Sequence, residues 1–144
     1  MEINQNNYLY IISRIKELLI VILENGLAEK SIKDLFTSDG YVLFILDRKG
    51  PLSLKDLARY AVKDKSTVST VVKRLEKNGY LIKERTKEDA RNINIKLTAK
   101  AKKIKPQILG ISSVMNSKMF KGFSETDKRK LFQLTGRIYD NIHG

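Results

Sequence analysis

Ser66, Ser69, Thr70, Lys73 and Lys77 fall on one side of a helical projection of residues 65–78. Val68, Val71, Val72 and Leu75 fall on the other, with Thr67 and Arg74 on one flank. The polar side holds small hydroxyls and cations, and Glu76 lies toward the opposite flank. Most solvated helix faces mix charges of both signs for support along the helix. A face of hydroxyls and cations instead hydrogen-bonds phosphates and base edges, and its short side chains let the helix come close to another surface. A second charged element follows, KERTKEDARNINIKLTAK over residues 83–100, with Asp89 and Arg91 two residues apart and Ile93, Ile95 and Leu97 alternating behind them. A solvated basic tail has no need of that alternation. It predicts a strand with one buried face.

Catalysis has little to work with. The chain has no cysteine, and its one histidine, His143, is next to the last residue. A glycine-rich phosphate loop and paired carboxylates in a nucleophile context are also missing, so an enzyme is the weakest reading. Without cysteine there are no disulfides, thiolate metal sites or thiol redox chemistry. No metal site and no cofactor are expected. The net charge of +12 is concentrated. Residues 49–105 hold 17 Lys/Arg and 6 Asp/Glu, net +11, and the other 87 residues hold 11 and 10, net +1. A localised excess of this kind is a footprint for a polyanion.

The elements that must position these residues are read from periodicity and caps. Apolar positions 8, 12, 15, 19 and 22 predict an amphipathic helix of about 20 residues, with Asn25-Gly26 as its stop. Residues 27–36 are ambiguous. Thr37 or Ser38 is the expected cap of a helix with Val42, Leu43, Ile45 and Leu46 buried, ending at Lys49-Gly50-Pro51. Ser53 to Asp56 reads as a capping box opening a short helix, and Asp64 caps the hydroxyl-bearing helix, which exits at Asn78-Gly79. Strands at 81–86 and 93–97 enclose a loop at 87–92, and Thr98 caps a helix containing Pro106. Ser124 to Asp127 opens a last helix with Leu131, Leu134 and Ile138 on one face. The fold class is thus mainly α with a small β-hairpin: one domain over 1–144, with a winged helix-turn-helix lobe at 37–98 and N- and C-terminal helices at 5–25 and 99–142. A lone winged helix needs no such flanking helices, and their expected role is a two-fold homodimer.

At this point the sequence resembles the MarR family of bacterial transcriptional regulators. The residues that carry the resemblance are Leu57-Ala58, the helix 65–78, Arg74-Leu75-Glu76 with Gly79, Asp89-Ala-Arg91, and Leu97-Thr98. Val62 stands where such units commonly have a turn glycine, and Ala101 where a glycine often follows the closing Leu-Thr. The resemblance implies a wing arginine, Arg91, reaching the minor groove or adjacent backbone, with Asp89 holding the wing and that arginine in place. It also implies a dimer built from the terminal helices, and a small phenolic or anionic effector bound between those helices and the lobe that lowers DNA affinity. Tyr8, Tyr10, Arg14 and Tyr41 are the candidates to line that pocket, although packing is the commoner use of tyrosine on such helices. Cysteine-based oxidant sensing is excluded and zinc sensing disfavoured.

The expectation is a double-stranded DNA-binding transcriptional regulator, a repressor, acting on a pseudo-palindromic operator. Thr67, Ser69, Thr70 and Arg74 are expected in the major groove. Lys65, Ser66, Lys73, Lys87 and Arg91 are expected on backbone or minor groove. A winged-helix module that binds protein instead would present an apolar or mixed-sign face, which Ser66, Ser69, Thr70 and Lys73 oppose. A membrane-surface role fits poorly, because the cations cluster on a helix-turn-helix rather than on one basic amphipathic helix. With no visible signal segment or membrane-spanning run, the expected location is the cytoplasm.

Overall fold

Four of the caps that the sequence advertises are made. In the computed structural model, which describes residues 1–144, Ser53, Asp64, Thr98 and Ser124 each accept a hydrogen bond from the backbone three residues on. These open α3 (Leu54–Ala61), α4 (Lys65–Lys77), α5 (Ala99–Met119) and α6 (Glu125–His143). Ser124 and Asp127 form a reciprocal capping box. Before them come α1 (Tyr8–Glu29) and α2 (Gly40–Lys49), with a 3₁₀ turn at Thr37–Asp39 between. Neither Thr37 nor Ser38 caps α2, because that turn leads directly into it. Pro106 lies inside α5.

Between α4 and α5 runs the antiparallel hairpin of β1 (Leu81–Arg85) and β2 (Ile93–Leu97), pairing Leu81 with Leu97 and Arg85 with Ile93. A bridge between Leu52 and Ile95, with N···O distances of 3.1 and 2.7 Å, adds the segment before α3 to β2. This contact fixes the wing to the helical body. Of the alternating residues only Ile95 is fully buried, Leu97 is half-buried, and Ile93 near the wing tip is exposed.

The core sits in the lobe. Val68, Val71, Val72 and Leu75 of α4 are all buried, packed with Val42 and Leu46 of α2, Leu57 of α3, Tyr80 and Ile95. The wheel drawn from sequence therefore has the correct inside. Val62 closes α3 in the left-handed region, φ 52° and ψ 47°. A β-branched residue tolerates that region poorly. The substitution for glycine thus leaves the turn geometry in place and puts strain into it.

One expectation fails at the first helix. Asn25-Gly26 does not stop α1, which continues to Glu29. Gly26 is used for close approach instead: a Cβ there would lie 2.5 Å from Ile111 Cγ2 and 3.0 Å from Ile111 Cγ1. It is the point where α1 crosses α5. Neither α1 nor α6 buries a residue within its own chain, and α6 makes no extended packing on another element. No helix is long and apolar enough to cross a membrane.

Replacing glycine by alanine inside a helix ordinarily stabilises, by up to about 1 kcal/mol. Gly26→Ala should do the reverse and destabilise by about 1–3 kcal/mol, because Ile111 is stiff and buried. In an Ile111→Ala background the same change should become neutral or stabilising. Urea unfolding of the four proteins measures both signs.

Candidate nucleic-acid interface

With its apolar side in the core, α4 turns Lys65, Ser66, Thr67, Thr70 and Lys73 outward, all exposed, and Ser69 is half-buried. Lys87, Asp89 and Arg91 are exposed at the tip of the wing. Lys65, Lys73, Lys87 and Arg91 form no ion pair with any carboxylate of the chain. The helix face therefore presents uncompensated positive charge, while on the wing Glu88 and Asp89 are exposed beside Lys87 and Arg91. Some cations are used internally. Lys96 meets Glu84 across the hairpin at 2.7 Å, and Lys105 meets Asp47 at 2.9 Å.

The wing loop is closed by short-range bonds. Thr86 Oγ1 donates to the Asp89 carbonyl at 2.7 Å, and Thr86 N donates to the Asn92 carbonyl at 2.9 Å. Asp89 Oδ1 accepts from the backbone N–H of Arg91 at 2.9 Å. Asp89 thus orders the backbone beneath Arg91 while the guanidinium itself makes no ion pair.

Arg74 is where the structure departs from the expected major-groove set. Its Nε donates to Asp39 Oδ2 at 3.0 Å, and a second guanidinium nitrogen donates to Asp39 Oδ1, a bidentate pair. Asp39 is fully buried, and the Arg74 guanidinium also lies over the Phe36 ring, 5.1 Å from its centre. The bonds to Asp39 raise the guanidinium's affinity for its proton further. Arg74 is committed inward, on the flank of the helix rather than on its open face. Its position beside the apolar stripe was the only sequence signal for this. Asp39, 35 residues away, carried none.

A second network holds the far end of α4. Asp34 Oδ1 accepts from the Tyr80 hydroxyl at 2.5 Å and Oδ2 from Lys100 Nζ at 2.6 Å. Asn78 Nδ2 donates to the Asp34 carbonyl at 3.0 Å, and Lys100 Nζ also donates to the Asn78 carbonyl at 2.7 Å. Burial raises the Asp34 carboxyl, but the bonds from Lys100 and Tyr80 outweigh it and hold the group below its ordinary range. Burial, together with Asp34, pushes the Tyr80 hydroxyl well up.

A cavity of about 280 Å³ opens between the terminal helices and the lobe. Leu23 and Leu27 of α1, Leu43 of α2, and Ile104 and Ile108 of α5 line it, with Lys102, Lys105 and Asp47 as its charged residues. None of Tyr8, Tyr10, Arg14 and Tyr41 is among its walls. Tyr8 and Tyr10 are exposed, and Arg14 pairs with Glu17. Tyr41 packs under Lys63, its hydroxyl buried without a hydrogen-bond partner. The cavity is built from aliphatic positions that look like ordinary core, which is why the sequence did not single them out.

The MarR family model matches residues 38–93. The HTH-type transcriptional regulator SarZ of Staphylococcus haemolyticus is 31% identical over 110 residues, 75% of this chain and 72% of the relative. SarZ of Staphylococcus saprophyticus is 38% identical over 77 residues, and there the chain spans about half the relative's length, 53%. In three dimensions, a MarR family transcriptional regulator of Listeria monocytogenes in complex with a 26mer DNA superposes with a TM-score of 0.78 at 25% identity, over 99% of this chain and 90% of that one.

The Asp39 carboxylate has no partner but Arg74 that carries charge. Arg74→Ala should destabilise the protein by about 2–3 kcal/mol, less than the roughly 3–5 for a fully buried pair because the guanidinium is about a third exposed. Thermal unfolding reads this directly. An Arg74→Ala protein that melts with the parent but binds DNA more weakly would return Arg74 to the groove.

Proposed function

This chain belongs to the MarR family, and we propose that it is a homodimeric transcriptional repressor that reads a two-fold symmetric DNA site and is released by a small ligand. The observation that carries the reading is the open face of α4, where small hydroxyls stand between Lys65 and Lys73 and neither cation has a carboxylate partner, with Lys87 and Arg91 likewise unpaired on the wing. A helix with small hydroxyls between cations fits a major groove about 12 Å wide. Ser66, Thr67, Ser69 and Thr70 face bases, with Lys65 and Lys73 nearer the phosphates. Lys87 and Arg91 reach the backbone or minor groove beside them, where a narrow, negative groove favours an inserted guanidinium. Asp89 preorganises that wing through its bond to the Arg91 amide. That the similar Listeria monocytogenes regulator is in complex with a 26mer DNA supports DNA as the partner. The protein-binding alternative needs an apolar or mixed-sign face on α4, which Ser66, Ser69, Thr70 and Lys73 oppose.

A second copy accounts for the terminal helices. Leu9, Ile12, Ile15 and Leu18 of α1, and Leu131, Leu134, Ile138 and Ile142 of α6, are exposed in the single chain. Apolar patches of this extent mark an interaction surface. A dimer through them sets two copies of α4 about one DNA turn apart, roughly 34 Å. The cytoplasm is the compartment in which such a protein meets its DNA.

The cavity supplies the ligand site. Its apolar walls with Lys102 at the edge suit an apolar molecule bearing an anionic group. Phe36, Thr37 and Gly40 belong to its wall and bracket Asp39, which holds Arg74 of α4. A ligand that displaces this wall shifts the anchor of the reading helix, and it lowers DNA affinity to the extent that it prefers the displaced arrangement.

Duplexes selected from a random library by the full chain should share a two-fold symmetric site, and a chain that enriches none would overturn the reading. On that site Arg91→Ala should weaken binding by about 1–3 kcal/mol with unchanged melting. Lys73→Ala should weaken it across sequences and lower the salt slope by about one. Anisotropy titrations between low and moderate salt measure both.

A further inference from the structure

The hydroxyls of α4 do not face outward with their protons free. Ser66 Oγ lies 2.6 Å from Asp64 Oδ1, and Thr67 Oγ1 lies 2.7 Å from Asp64 Oδ2. Thr70 Oγ1 lies 3.0 Å from the Ser66 carbonyl. A carboxylate and a carbonyl can only accept, so in all three contacts the hydroxyl must donate. Each hydroxyl has one proton, and each is spent inside the protein. What remains on the outer side is lone pairs. Ser69 differs, since its hydroxyl has no such partner in the chain.

Resting on the reading of α4 as the groove-facing helix, we infer that Asp64 sets the hydrogen-bond polarity of that helix, so that Ser66, Thr67 and Thr70 accept only, and the helix selects the base in each pair that offers an exocyclic amino group. In the major groove those groups are N6 of adenine and N4 of cytosine, whereas guanine O6 and thymine O4 are acceptors and would meet lone pair against lone pair. Phosphate oxygens are acceptors as well. The hydroxyls therefore add nothing at the backbone, which is left to Lys65 and Lys73. Asp64 strengthens the effect. It is exposed beside these hydroxyls, it accepts from the Thr67 amide at 2.8 Å as the helix cap, and it carries a negative charge that repels the same keto oxygens. The Ser66 hydroxyl first, then the Thr67 amide and hydroxyl, hold its carboxyl far below the ordinary range, so it is ionised wherever the protein is folded near neutrality. Asp64 is a positioning residue for specificity, acting through the hydroxyls it orients.

The side-chain amide that Asp64→Asn introduces tests this, because it keeps the cap acceptor and replaces one carboxylate oxygen by a donor. The hydroxyl facing that nitrogen must then accept, and its proton turns outward. Selection from a random duplex library with the full-length parent gives the preferred site, and the same selection with Ser66→Ala and Thr67→Val maps the base pairs those side chains read. At the mapped pairs, adenine is replaced by purine, or cytosine by 2-pyrimidinone, which deletes only the amino group. The parent should lose about tenfold or more in affinity, as expected for one good base contact. The cap keeps the amide oxygen where Oδ1 stands, so the nitrogen faces Thr67 Oγ1, and at the pair that Thr67 reads Asp64→Asn should lose about threefold or less. The inference is overturned if the parent tolerates the amino-free bases, if Asp64→Asn is as sensitive as the parent at the pair that Thr67 reads, or if Ser66→Ala and Thr67→Val select the parental site unchanged. Should Asp64→Asn fail to melt cooperatively, the response of the parent to the amino-free bases decides alone. A parent that enriches no duplex at all overturns the DNA reading itself, which is a different result from any of these.

Discussion

The bidentate bond between Arg74 and the buried Asp39 carboxylate is the constraint on which the reading surface depends. An ionised carboxylate inside a protein is costly unless it is paired, so Asp39 can occupy its place only while α4 supplies Arg74. That requirement fixes the rotation of α4 about its axis. The apolar stripe alone leaves some latitude, because Val68, Val71, Val72 and Leu75 span a wide arc. With Arg74 drawn to one flank, Ser66, Thr70 and Lys73 must point away from the body. At the end of the helix, Asn78 and the neighbouring Tyr80 are tied to Asp34. The helix is thus held by its apolar stripe along its length, by Arg74 on its flank and by Asp34 at its exit, and only the polar side of its first two turns is left open to meet another molecule.

The lobe divides its charges between two uses. Arg74, Lys96, Lys100 and Lys105 neutralise acids of the same chain and hold elements together. Lys65, Lys73, Lys87 and Arg91 do not, and they stand on the open face of α4 and on the wing. Exposed ion pairs contribute little to stability, typically below about 1 kcal/mol, and salt screens them. Leaving cations such as these unpaired therefore costs the fold little, while those on α4 raise the positive field where a polyanion would approach. Net charge hints at this division only as a total. The partition into paired and unpaired groups is a property of the folded chain.

Much of this was legible in the sequence because it is local. Caps at Ser53, Asp64, Thr98 and Ser124 act over three residues, and strand alternation and helical period act over a few more. The hydroxyl and cation face of α4 followed from spacing alone. What was not legible is long-range. Gly26 beside Asn25 has the local signature of a helix stop, yet a tertiary contact with Ile111, 85 positions along the chain by numbering, decides its role. Arg74 has the local signature of a groove residue, yet Asp39 claims it. The cavity is lined by aliphatic residues such as Leu23, Leu27, Ile104 and Ile108, indistinguishable by type from core, and the tyrosines expected there lie outside it. In each case a residue's type was compatible with two roles, and a partner far along the chain selected between them.

The same long-range contacts connect the surface a second copy would cover to the surface that would face DNA. Gly26 lets α1 lie against Ile111 of α5, so the crossing of these helices is set by direct contact rather than by a flexible layer of side chains. The start of α5 is fixed to the end of α4 in turn. Thr98 Oγ1 donates to the Gly79 carbonyl at 2.6 Å, Thr98 N to the Tyr80 carbonyl at 3.1 Å, and Lys100 Nζ to the Asn78 carbonyl at 2.7 Å. A shift of α5 along α1 must therefore either carry α4 with it or break these bonds. Packed elements of this kind move between discrete arrangements and do not deform smoothly. The cavity lies within this loop of contacts, bounded by α1, α2 and α5. In a two-fold assembly through α1 and α6, any rearrangement at the cavity would be duplicated about the axis, and the separation of the two reading helices would change by twice the displacement of one.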